Sequence, residues 1–90
     1  MALRHAFCNT ETIDKRLKQM KGTPFVYFLY DIEGNLIYIG RSMNIYERLK
    51  THKQYKEFDV TLLIVCESYR ESVILETKRI RKYKPFFNRR

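Results

Sequence analysis

Long apolar runs are missing from this chain of 90 residues. Nothing in it approaches the roughly 20 consecutive apolar residues that a membrane-spanning helix needs. The opening stretch MALRHAFCNTETIDKR has no apolar block and carries acids, which argues against a secretory signal. Cysteine is scarce as well. Cys8 and Cys66 stand apart, and no CxxC or HxxxH pair is present, so a four-ligand zinc site is excluded. Both thiols are expected to be reduced and the compartment cytoplasmic, with Cys66 a small core residue at the end of the apolar run 60–65. There is no internal repeat, linker or low-complexity stretch. The length fits one compact domain whose core is small.

Acids are the other shortage. Eighteen Lys and Arg face ten Asp and Glu, giving +8. Lys78, Arg79, Arg81, Lys82, Lys84, Arg89 and Arg90 follow one another with no acid between them, and Arg41, Arg48, Lys50, Lys53 and Lys56 are balanced by Glu47 alone. Basic patches of this kind favour polyanions, because each phosphate they neutralise releases condensed counterions. A purely solvating surface is the plainer explanation of the same charge. An acidic membrane surface fits less well, since no helix shows a clean aromatic-and-basic amphipathic pattern.

What is present is a succession of short, well-punctuated elements. Ile13, Leu17 and Met20 are spaced for a short helix opening at Asn9 or Thr10 and ended by Gly22 and Pro24. Residues 25–30 form a run of β-branched, aromatic and aliphatic side chains without a breaker, which predicts a strand. Asp31, Gly34 and Asn35 supply turn chemistry, and residues 36–39 return as the second arm of a hairpin that Gly40 is expected to break. Asn44 and Glu47 have capping-box spacing and start a helix to about His52, with Ile45 and Leu49 inward. Residues 58–65 are almost continuously apolar and predict a third strand, central in its sheet. Ser68 and Glu71 cap a last helix that ends before Pro85. The expected fold is α/β (α+β): a small three-stranded, largely antiparallel sheet flanked by helices, in the order α-β-β-α-β-α.

One residue departs from the pattern of the last helix. At 100° per residue Val73, Ile74, Thr77, Ile80 and Tyr83 share an apolar arc, and Glu76 falls inside it. An inward carboxylate is costly unless it meets a cation, a donor or a metal ion; a structural ion pair with an arginine would also satisfy it. The hairpin offers Tyr27 and Tyr38 on adjacent strands, where a common face is possible. Arg41 follows Gly40 and could swing over that face, while Arg48 and His52 come from the next helix. Taken singly, each has a packing explanation. Together, phenols, cations and a carboxylate are what phosphate chemistry requires.

In order along the chain, Phe25-Val26-Tyr27 and, after ten intervening residues, Tyr38-Ile39-Gly40 resemble the paired signature of the GIY-YIG nuclease family. Phe25 and Val26 stand where the family has glycine and isoleucine. Arg41 resembles the basic residue often seen after the second motif. The segment 44–49 is similar to the helix bearing the family arginine, here Arg48, and His52 falls where members carry histidine or tyrosine. Glu76 lies on the helix of the metal-binding glutamate, and Lys84-Pro85-Phe86-Phe87-Asn88 resembles the closing KPxxN. The resemblance spans residues 25–88, so residues 1–24 are expected to be a leader with a short helix and 25–90 the nuclease-like domain.

The resemblance implies a metal-dependent endonuclease acting on DNA. Tyr27 and Tyr38 would activate water, Arg48 would clamp the phosphate in the transition state, and Glu76 would hold Mg²⁺ (or Mn²⁺). Arg41 and Arg48 are expected to favour a phenolate, and Asn88 to orient rather than react. Lys50, Lys53, Lys84, Arg89 and Arg90 would grip flanking phosphates without reading bases, so a separate specificity partner is expected. Two rivals stand beside this: a nucleic-acid-binding module of the same fold without catalysis, and an adaptor in which Glu76 only pairs with arginine. Oligomeric state is not readable from these residues.

Overall fold

The computed structural model describes residues 4–9, 15–55 and 57–88. Strands β1 (Arg4–Asn9), β2 (Phe25–Tyr30), β3 (Leu36–Ser42) and β4 (Val60–Val65) form one antiparallel sheet in the order β1-β4-β2-β3. The α+β class and the three strands expected from patterning are all present, and β4 is central as its apolar run requires. The sheet gains a fourth strand from residues expected to belong to the leader: β1 pairs with β4 from Arg4↔Val65 to Asn9↔Val60. A strand with a neighbour on one side only can form through its backbone ladder without an alternating sequence. Asn9 therefore closes a strand instead of opening a helix. Residues 10–14, including Ile13 of the expected helix, lie outside the described residues. Lys15–Met20 is a 3₁₀ helix rather than an α-helix, a form common in short connectors, and Leu17 and Met20 face the core as their spacing implied.

The β2–β3 turn forms as its residues dictate. Both Asp31 carboxylate oxygens are engaged, Oδ1 accepting from the backbone N–H groups of Glu33 and Asn35, while Gly34 takes a φ of 85° that its missing side chain permits. Gly40 does not break β3. Pairing runs on through Tyr27↔Gly40, Val26↔Arg41 and Phe25↔Ser42.

Helix α1 (Ile45–Tyr55) and the 3₁₀ segment cover one face of the sheet. There Phe25, Tyr27, Leu29, Ile45, Leu49 and Leu63 form the larger core. Helix α2 (Tyr69–Tyr83) packs on β3 and β2 from the other face, over Val26, Phe28, Ile39, Ile64 and Cys66. Ser68 caps α2 by accepting from the Glu71 N–H, and Lys84 ends it in the left-handed conformation just before Pro85. The inward stripe of α2 differs from the expected arc. Ser72 and Leu75 are its buried residues, whereas Ile74 and Tyr83 are about half exposed. Glu76 keeps its inward edge position because it follows Leu75 on this rotated stripe. Among the described residues, no helix is long and apolar enough to cross a membrane.

Candidate active site

β2 places Tyr27 in the middle of the larger core with none of its surface exposed. Its hydroxyl lies 2.6 Å from His52 Nε2, and its ring centroid lies 6.0 Å from that of Tyr38. Tyr38 is half-buried, 4.8 Å from the His52 ring, so the three rings form one cluster. Gly40 makes room for it. A Cβ there would collide with the Tyr27 hydroxyl and lie 2.8 Å from Tyr38 Cε2, so only glycine fits beside the two phenols. Phe25, which stands where the family has glycine, lies in regular strand without a positive φ and is buried.

Electrostatics at Tyr27 run against the expectation of a phenolate. Burial pushes this phenol far above its usual range, and Tyr38 adds to the shift; Arg48 pulls the other way by charge and hydrogen bonding without reversing it. Tyr27 is therefore a protonated donor at neutral pH.

The second half of the site is on the opposite face. Side chains alternate along β3, so Arg41, one residue beyond Gly40, points away from the phenols and toward α2. Its Nε lies 3.2 Å from Glu76 Oε1, its guanidinium donates to the Tyr69 hydroxyl at 2.9 Å, and it stacks 4.9 Å over the Tyr69 ring. The expectation that Arg41 swings over the tyrosines is thus corrected. Burial raises the Glu76 carboxyl above the usual carboxylate range; Arg41, by charge and by hydrogen bonding, and then Arg48 oppose this. Arg48, exposed on α1, lowers both the Tyr27 phenol and the Glu76 carboxyl through its positive charge.

Asn88 secures that edge. Its side chain donates to the Ile39 carbonyl at 2.9 Å and accepts from the Ile39 N–H at 2.8 Å, pairing the backbone between Tyr38 and Gly40 as a neighbouring strand would. Lys50, Lys53 and Lys84 are exposed, with Lys50 3.7 Å from Glu47, while Arg89 and Arg90 lie outside the described residues. Tyr69 was not singled out by sequence reasoning. An exposed tyrosine in the first turn of a helix carries no periodic signal, and only its position under Arg41 shows what it does.

Glu76 keeps 21% of its side-chain surface exposed, and no group of three or more His, Cys, Asp or Glu that could hold a metal ion occurs among the described residues. One partly open carboxylate suits an ion that retains most of its water, as Mg²⁺ does.

Residues 23–90 match the family described as the GIY-YIG catalytic domain. UvrABC system protein C of Lactobacillus gasseri is 33% identical across 88% of the chain, and that of Hydrogenovibrio crunogenus 31% across 84%. The chain spans about 15% of the length of these relatives. Among solved structures, the GIY-YIG N-terminal endonuclease domain of UvrC from Thermotoga maritima, bound to its catalytic magnesium, superposes with a TM-score of 0.66 at 27% identity, covering 86% of this chain and 100% of that one. A point variant of the same domain gives 0.67 at 30% identity, covering 84% and 93%.

Proposed function

The chain belongs to the GIY-YIG family, and on that footing we propose that it is a metal-dependent endonuclease hydrolysing DNA phosphodiester bonds. The observation that carries this reading is the closure of Tyr27, Tyr38 and His52 into one cluster beside an edge strand, with Arg48 acting on both that cluster and Glu76. Tyr38, the accessible phenol, contacts the attacking water. Tyr27, buried and protonated, holds His52 and Tyr38 in place. Arg48 meets the charge that develops on the phosphate, a contact whose loss typically costs on the order of 10²–10³ in rate.

Glu76 would hold Mg²⁺ (or Mn²⁺), the ion bound by the Thermotoga maritima domain being magnesium. When bound, the ion supplies positive charge to the departing oxygen. Arg41 holds the Glu76 carboxylate in position from the β3 side, and Asn88 fixes the backbone that carries Tyr38. Lys50, Lys53, Lys84, Arg89 and Arg90 grip flanking phosphates, adding affinity without base readout. Specificity then comes from a separate partner, and the free buried thiol of Cys66 suits a reducing, cytoplasmic setting.

Plasmid nicking with Mg²⁺, with EDTA, and with Glu76→Ala tests the assignment. Nicking by the wild type alone, and only with the metal, is the expected result. Tight binding of DNA with no nicking by any form would make the chain a binding module.

A further inference from the structure

We propose that the groove beside the C-terminal half of α2 is a nucleobase subsite that takes one unpaired base of the strand being cut. It rests on the nuclease reading and deepens it by naming a substrate class. The groove has a volume of about 370 Å³, within the ~300–1,000 Å³ range of small-ligand pockets. Phe28, Leu62 and Ile64 of the sheet form its apolar floor, Tyr30 and Tyr83 its walls, and Arg79 lies at its side. No acid lines it. Aromatic walls over an apolar floor offer a base the stacking contact that single strands use, and a guanidinium adds a planar cation for the base face or its phosphate. Burial and the nearby Tyr83 push the Tyr30 phenol up, so it stays a neutral donor for a base edge.

Charge and position favour nucleic acid as the occupant. Lys78, Arg79, Arg81 and Lys82 follow one another on α2 with no acid among them. Arg79 is one helical turn beyond Glu76 and Tyr83 two turns beyond. Seven residues at ~1.5 Å each make roughly 10 Å, or about three base steps at ~3.4 Å from the residue assigned to the metal. A base still stacked and paired in a duplex cannot enter a groove on the protein surface, and extruding one costs a few kcal/mol unless it is already unpaired. The groove therefore selects DNA with a bulged or otherwise unpaired base near the cut over intact duplex.

The test compares a fully paired duplex with one carrying a single bulged 2-aminopurine, both bound in EDTA so that nothing is cut. The wild type is expected to bind the bulged duplex about tenfold more tightly, the size of one base-stacking contact, and to change the 2-aminopurine fluorescence. Tyr83→Ala should lose that advantage while binding the paired duplex as before, whereas Arg79→Ala should lose it together with a smaller, general loss on both duplexes from the missing charge. Both side chains are at least partly exposed, so the variants are expected to fold, and Leu62→Trp, which fills the groove, is a third route to the same loss. Equal binding of the two duplexes by wild type, or variants that keep the preference, overturns the proposal. Plasmid nicking is scored separately. Nicking with no bulge preference removes the subsite and leaves the nuclease, whereas a captured base without nicking removes the nuclease.

Discussion

At Tyr27 burial and neighbouring charge pull in opposite directions, and burial wins. A phenol in water loses its proton near pH 10; inside this core the charged form forfeits its hydration, and Arg48 returns only part of it. In the proposed mechanism this divides the labour between the two tyrosines. Tyr38→Phe is expected to lower the nicking rate by about 10²–10⁴, the contribution of a positioned acid–base group. Tyr27→Phe should cost less, and it should leave the pH–rate profile below about 10 unaltered, because Tyr27 does not ionise there. Equal losses, or a profile limb that disappears with Tyr27→Phe, would reverse the assignment. Glu76 obeys the same physics. Its folded-state ionisation lies above the ordinary carboxylate value, so the ionised form works against folding as pH rises through that window. Glu76→Gln is therefore expected to leave the melting temperature at neutral pH unchanged or higher while abolishing metal-dependent nicking. A fall of more than about 5 °C, on the order of 1 kcal/mol for a domain this size, would make Glu76 a structural ion pair.

The elements show how local chemistry and tertiary contacts divide the work. The β2–β3 turn is local: Asp31 accepts from the backbone N–H groups of Glu33 and Asn35, and these bonds hold its carboxyl below the usual range. A lowered folded value means stability that is present above the unfolded carboxylate value and lost as pH falls through the folded one. Asp31→Asn should accordingly flatten the acid limb of a melting-temperature profile in that window; a variant with the wild-type acid limb would show the turn bonds to be irrelevant. This turn, the capped start of α2 and the burial of Ile45 and Leu49 were all legible, since each depends on residues a few positions apart. The continuation of β3 through Gly40 was not. A glycine reads as a breaker until the two phenol rings beside it are known, and these come from another strand and from the residue two back. The inward stripe of α2 was likewise offset, because what it packs against is set by the sheet and not by its own periodicity.

For the molecule as a whole, β1 is the consequential addition. It places residues 4–9 at the edge of the sheet, against a strand more than fifty positions away. Deleting residues 1–9 is expected to lower the melting temperature and promote association, since β4 would then present a bare edge; an unchanged melt with a monomeric elution profile would show β1 to be dispensable. The sequence by itself determined β2, β4, the two α-helices, the polyanion-seeking charge and the residue types of the site, because propensity, turn chemistry and composition act over short range. The tertiary structure alone decided on which side of the sheet each site residue falls, that Tyr27 is sealed while Tyr38 is not, and that Asn88 closes the strand carrying Tyr38. Register, dehydration and edge pairing depend on partners distant along the chain, and only folding brings those partners together.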